Sequence, residues 1–207
     1  TAQSALRIDA LPGLAMQFDY WGSGDIGFQG SSFLGFGADM ATEGGGLIPM
    51  NLHQFDLQGR YRWSLSKSNT TPRIIAGLGV RSTMQLAHDQ TPAILLDRFI
   101  LGPQLTGAME VPLWRDKILT TIGLRVGLPF FVRESPADSG DPQQFIHLGS
   151  AAQMRFVIDQ KWSIPLNIDF FLQEETFSGD ATRASGTSSV VTKESLTTVS
   201  LNLAFAP

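Results

Sequence analysis

The sequence predicts an all-β protein: an antiparallel up-and-down transmembrane β-barrel of about ten strands, apolar outside and polar within. Three observations carry this reading. Apolar and polar residues alternate one by one along nearly the whole chain, which is the period of a strand and not of a helix. Charged residues make up only 16% of the 207 positions, yet no uncharged apolar run approaches the roughly 20 residues of a spanning helix. Short and long connections also follow one another in turn, the habit of barrels whose two rims differ.

The pattern is clearest from Asn51 to Val80. His53, Phe55, Leu57, Tyr61 and Trp63 fall on one side, and Gln54, Asp56, Gln58, Arg60 and Arg62 on the other. After the polar turn Ser66 to Pro72, Ile74, Ala76, Leu78 and Val80 oppose Arg73, Gly77, Gly79 and Arg81. A strand with one apolar and one doubly charged face suits a barrel wall between lipid and a wet lumen.

Taken in order, Ala2 to Ala10 alternates as a first strand, and Leu11-Pro12-Gly13 reads as a tight turn. Leu14 to Tyr20 is the second strand, closed by Gly22-Ser23-Gly24-Asp25. Ser31 to Ala41 is a Gly-rich strand with Leu34, Phe36, Ala38 and Met40 outward and Gly35, Gly37 and Asp39 inward. Thr42 to Pro49 is a loop before the central hairpin, and Gln85 to Asp97 a second loop after it. Phe99 to Leu113 and Ile118 to Phe130 flank the tight turn Trp114 to Lys117. Arg133 to Gln143 is the third loop. Ile146 to Ile158 and Ile164 to Leu172 flank Asp159-Gln160-Lys161, Ser178 to Lys193 is the longest loop, and Val199 to Phe205 closes the chain. Discounting the two candidates before Trp21 leaves eight strands, the alternative count; both counts are even.

Placement of the tryptophans is an independent clue. Trp21, Trp63, Trp114 and Trp162 all lie at the short connections, where an interface girdle places amphipathic rings at headgroup level. Lys67, Lys117, Lys161 and Lys193 sit in turns or loops, which keeps their ammonium groups out of the bilayer. The short side is thereby expected to be periplasmic and the long loops extracellular.

On the inward faces lie Asp9, Asp19, Asp39, Asp56, Glu110 and Asp169, together with Arg7, Arg60, Arg62, Arg73, Arg81, Arg125 and Arg155. Acids and bases nearly balance, and every inward base is arginine, whose planar fork suits multidentate pairing in a confined space. The expectation is a charge network that fills the lumen. The bland reading is a set of charges lining a water-filled pore.

Other chemistry is thin. His147 would face the lumen, but alternation points the nearby Ser150 the opposite way, so they do not pair as base and nucleophile. His53 and His88 are scattered, without metal-ligand spacing. Glu134, Asp138 and Asp141 lack the full calcium-ligand pattern and read as a solvated loop. Gly35-Phe36-Gly37 is a strand feature, not a phosphate cradle. With no cysteine there is no disulfide framework, and the net charge of −4 argues against a nucleic-acid partner. No catalytic residue, metal or cofactor is expected. Thr1 opens a polar stretch, as an amino terminus left by signal-peptide removal would.

The alternating strands and the closing segment Val199-Ser200-Leu201-Asn202-Leu203-Ala204-Phe205 resemble the small bacterial outer-membrane β-barrels, the class of the OmpA transmembrane domain, OmpX and OmpW. In that class an aromatic-ended last strand is read by the barrel-assembly machinery; here Ala206 and Pro207 follow Phe205. The resemblance is architectural and spans the chain. It implies a Gram-negative outer-membrane location, with contacts to lipid and lipopolysaccharide and to another envelope protein through loops or outer wall. The expected role is a membrane anchor, assembly component or surface-interaction platform. Rival readings are a narrow small-solute or ion pore, a lipid-modifying hydrolase, and a soluble lipocalin-like barrel holding an apolar ligand.

Overall fold

A computed structural model describes residues 6–7, 11–22, 24–42, 47–66, 71–87, 97–114, 117–135, 139–159, 162–178, 189–201 and 204–205. All regular structure among them is strand, with no helix. One sheet holds twelve segments. They are β1 (Leu6–Arg7), β2 (Gly13–Trp21), β3 (Ile26–Thr42), β4 (Leu47–Ser64), β5 (Arg73–Ala87) and β6 (Asp97–Leu113). Then follow β7 (Ile118–Gly127), β8 (Phe131–Ser135), β9 (Asp141–Val157), β10 (Trp162–Ser178), β11 (Ser189–Leu201) and β12 (Ala204–Phe205).

Three pairs of segments are single strands with an interruption, so the described sheet has nine strands. β1 and β2 lie on β3 in one register, from Leu6↔Thr42 to Gly13↔Gly35. β11 and β12 lie likewise on β10, from Leu166↔Leu201 to Ser163↔Ala204. β7 and β8 both pair with β6 and are joined by Leu128 N donating to Pro103 O at 3.1 Å and Phe130 N to Leu101 O at 3.2 Å. Between those two donors stands Pro129, which has no N–H to give. Gly102 lies against it, and a Cβ there would collide with the Pro129 backbone.

The count of nine corrects the expected ten. Leu11-Pro12-Gly13 is not a hairpin turn: the chain stays on β3, and Phe36 N donates to Pro12 O at 3.0 Å. Proline removes a donor but leaves its carbonyl available to the ladder. The rest of the expected strand Ala2 to Ala10 lies outside the described residues. Consecutive strands pair antiparallel, and the sheet curls until β12 meets β2 through the bridge Phe205↔Phe18. This contact is parallel because an odd number of up-and-down strands leaves the first and last running the same way.

The long loops are also shorter than expected, since the strands run further. Connections at one end are residues 22–25, 65–72, 114–117 and 158–161; at the other they are 43–46, 88–96, 136–140 and 179–188. Residues 43–46 are thus no longer than the tight turns. Strands of 17 or 18 residues such as β4, β6 and β10 exceed the roughly 9–11 that cross a bilayer.

The faces are the reverse of a water-soluble core. Among the described residues, seven hydrophobic ones are buried against twelve polar or charged ones, while thirty-six large hydrophobic side chains are exposed. On β10, Leu166, Ile168, Phe170 and Leu172 are exposed and Asn167, Phe171, Gln173 and Glu175 are buried. On β3 parity changes at a bulge between Gly35 and Ala38, where Gly37 takes φ of 64° and its N donates to Asn51 Oδ1 at 2.9 Å. The extra residue shifts β3 by one position. Asp39 therefore pairs with Pro49 and is exposed on the outer face, not turned into the lumen. Inside the end carrying residues 43–46, Ile48, Met50 and Leu52 pack with Leu11 and Ala87 as a small apolar patch.

Candidate functional site in the lumen

Alternation delivers side chains from eight strands into one interior, where they meet in tiers. In the tier nearest the tryptophan-bearing turns, Asp19 of β2 is 3% exposed. Its Oδ1 accepts from Arg60 Nη2 of β4, and its Oδ2 from Arg155 Nη2 of β9 at 2.9 Å. These contacts span the bore between strands that are not ladder neighbours. Arg60 also takes Gln29 Oε1 at 3.3 Å. Its guanidinium carbon lies 4.6 Å from the Trp21 ring centroid, and that of Arg62 lies 4.3 Å away. Arg62 reaches Asp25 at 3.8 Å, and Arg73 donates to Glu110 Oε1 at 3.0 Å, its cross-strand partner.

Next comes a tier around Asp56. Its Oδ2 accepts from Gln104 Nε2 at 2.5 Å and lies 3.9 Å from Arg125 Nη1. Arg125 Nη2 in turn donates to Asp169 Oδ1 at 2.8 Å. Arg81 is the register partner of Asp56, but its guanidinium stacks 4.5 Å over Phe171, and its Nε has no hydrogen bond among the described residues. Amides tie the tiers together: Gln58 Nε2 donates to Gln29 Oε1 at 2.6 Å, Thr106 Oγ1 to Gln58 Oε1 at 2.7 Å, and Gln153 Nε2 to Asn167 Oδ1 at 2.6 Å.

A third tier lies toward the opposite end. Arg98 of β6 donates through Nε to Glu134 Oε1 of β8 at 3.1 Å, and its Nη1 lies 2.9 Å from Glu175 Oε2 of β10. Gln173 Nε2 donates to Glu175 Oε1 at 2.5 Å, and Ser139 N to Glu134 Oε2 at 2.6 Å. His147 is buried, with Nε2 3.6 Å from Glu175 Oε1 and its ring edge-on to Phe171 at 5.2 Å.

The free space follows the tiers. A cavity of about 220 Å³ is lined by Asp19, Asp56, Glu110 and Asp169 and by Arg60, Arg81, Arg125 and Arg155, as many acids as bases. Beyond it, between Arg81, Gln104, Arg125, His147 and Phe171, only about 10 Å³ is free. That is at the lower limit for holding one water molecule.

Of the residues singled out by alternation, Asp19, Asp56, Arg60, Arg81, Glu110, Arg125, Arg155 and Asp169 share this cavity, whereas Arg62 and Arg73 do not line it and pair with Asp25 and Glu110. Asp39 lies outside, for the bulge described above. Asp9 and the side chain of Arg7 lie outside the described residues. Trp21 differs from the expected girdle. Its odd position in β2 turns it inward beside Asp19, under two guanidinium groups, whereas Trp63, Trp114 and Trp162 are exposed at the same end. Lys117 is exposed; Lys67, Lys161 and the Lys193 side chain lie outside the described residues. Ser150 is exposed opposite buried His147. Among the described residues no metal-binding cluster forms; Glu134 is held by Arg98 and Ser139, Asp141 is exposed, and Asp138 is outside the described residues.

Alternation also placed Gln173 inward with Asn167 and Asp169, and it is buried; sequence reasoning missed Arg98 and Glu175 as interior residues. The signal was there: the same period of two continues past the assumed strand ends, from Asn167 through Phe171 to Glu175. The chain matches no protein-family model, no curated protein and no solved structure.

Proposed function

We propose that the chain is an integral outer-membrane β-barrel whose lumen is closed by its own charge network, and that it serves as a membrane anchor, assembly component or surface-interaction platform. The observation that carries this is the inverted surface. Thirty-six large hydrophobic side chains exposed among the described residues, on a sheet whose buried residues are mainly polar, is an arrangement that water disfavours and a hydrocarbon layer favours. Exposed Trp63, Trp114 and Trp162 gather at one end, as an interfacial girdle would. The remaining strand length extends beyond the other end, where exposed Leu172 on β10 gives way to exposed Glu174. Periplasmic short turns and an extracellular far end fit this asymmetry.

The closed-lumen part rests on the tiers. Cross-bore pairs such as Asp19 with Arg60 and Arg155 tie β2 to β4 and β9, and beyond the cavity they line, the space among Arg81, Gln104, Arg125, His147 and Phe171 is about 10 Å³. Lipid, lipopolysaccharide and the barrel-assembly machinery are the partners this role entails, with a further envelope protein meeting the rim or outer wall. A second reading, a narrow small-solute pore, is favoured by the cavity of about 220 Å³ with its balanced charges. Two measurements test the proposal. Heat-modifiable gel migration of detergent-extracted protein is expected, and its absence, with solubility in plain buffer, would favour the soluble barrel. Planar-bilayer recording is expected to show little or no steady current; stable ion-selective openings would replace the closed lumen with the pore.

A further inference from the structure

We propose that the lumen cavity holds a binding site for a small organic carboxylate, recognised by the guanidinium of Arg81. Arg60, Arg73, Arg98, Arg125 and Arg155 each reach a carboxylate of the wall. Arg81 does not. Among the described residues its guanidinium makes no ion pair or hydrogen bond, and its buried Nε is left without an acceptor. It lies instead over the Phe171 ring, 4.5 Å from the centroid. Stacking occupies a face of the guanidinium, and the N–H groups in its plane still need acceptors. A buried cation without an anion is costly, and a carboxylate takes the same donors through two parallel bonds.

The neighbouring carboxylates are turned elsewhere. Asp56 is the ladder partner of Arg81, but its Oδ2 accepts from Gln104 and faces Arg125. Asp169 accepts from Arg125, whose stem lies over Gly149, where a Cβ would meet its Cγ at 2.6 Å. Asp56 Oδ1 has no donor, which makes Asp56 the competing acceptor within the wall. Arg81 lines both the cavity of about 220 Å³ and the space of about 10 Å³ beyond it, so it stands at the inner end of the cavity. A cavity of about 150 Å³ accepts benzene, so this one has room for a carboxylate on a short chain or a single ring, with Phe171 as its apolar wall. The narrow space beyond does not admit the same molecule, which therefore stops at Arg81.

The site needs only the interior of the sheet, whichever medium meets the outer face, and the experiment keeps the two apart. The chain is refolded in detergent micelles with sodium acetate as the probe, or with ethylammonium chloride at matched ionic strength. Thermal midpoints are read by heat-modifiable gel shift. A compact unheated band without any probe tests the barrel; the acetate dependence of its midpoint tests the site. Where the chain is soluble in plain buffer instead, the same titration is read there by circular dichroism. Acetate is expected to raise the wild-type midpoint by at least about 3 °C along a saturating curve, and ethylammonium chloride to leave it within about 1 °C. Arg81→Gln is expected to lose the rise. Arg81→Lys, which keeps the charge and loses the fork, is expected to need more acetate for the same rise, and serves where Arg81→Gln does not fold. Asp56→Asn removes the competing acceptor and is expected to shift the half-point to lower acetate. No saturable rise in wild type, or an equal rise with ethylammonium chloride, overturns the site. So does a folded Arg81→Gln protein that keeps the rise, an Arg81→Lys protein with an unchanged half-point, or an Asp56→Asn protein whose half-point moves to higher acetate.

Discussion

Replacing Leu124 by arginine measures directly what the outer face of the sheet meets. Leu124 lies in the middle of β7, is 68% exposed, and has Gly107 and Ser150 as its register neighbours. Neither neighbour carries a negative charge to offset a guanidinium. If the face meets lipid near mid-depth, Leu124→Arg costs about 2–4 kcal/mol. At about 1.4 kcal/mol per factor of ten, that lowers the folding equilibrium roughly 30- to 900-fold. If the face meets water, a change at so exposed a position stays within about 0.5 kcal/mol. Thr121 is the matched control three residues away on the same strand. It points inward, opposite Glu110 and Gln153, where an arginine finds a carboxylate and an amide. Both variants are folded into lipid vesicles and titrated with urea. Leu124→Arg is expected to lose at least about 1.5 kcal/mol more than Thr121→Arg, with Leu166→Arg behaving like Leu124→Arg. Equal losses at the two positions would refute the assignment of faces, whatever the fold.

Three further outcomes are expected. Asp19→Asn leaves Arg60 and Arg155 facing each other without their shared carboxylate, and should destabilise the vesicle-folded protein by about 3–5 kcal/mol; a loss below about 1 kcal/mol would show the cross-bore pair to be solvated. Arg60→Ala combined with Arg81→Ala removes one support of Asp19 and the stack on Phe171, so bilayer conductance should rise from near zero to resolvable steps; unchanged silence would place the closure elsewhere, in the Arg98 tier. An epitope inserted after Gly186 should be labelled on intact cells and one after Asn69 should not; the opposite result reverses the topology.

Local rules reached far into this protein because a strand's side-chain period is two whatever lies across from it. That period placed Asp56, Arg60, Arg81, Arg125 and Asp169 on faces that now share one cavity, and it separated Ser150 from His147. What it could not supply was registration around the ring. A single bulge at Gly37 turned Asp39 outward, and parity counted from Leu14 rather than from the turn put Trp21 under Arg60 and Arg62 instead of in a girdle. Strand ends were misplaced for a related reason. Polar residues 85–87, 97, 133–135 and 141–143 resemble loop when each is read alone, and are strand because a neighbouring strand supplies their hydrogen bonds, as β8 does for β6. Proline at 12 and 129 likewise suggested an ending or gave no warning of one, and whether the chain turns there depends on the ladder beside it. The period of the chain was enough to establish that it is built of strands and which side is polar along most of each strand. Tertiary structure decided the number of strands, the pairing of Asp19 with arginines from β4 and β9, and the burial of Glu175 beside His147, because these depend on the shear and curvature that bring distant strands face to face across a bore.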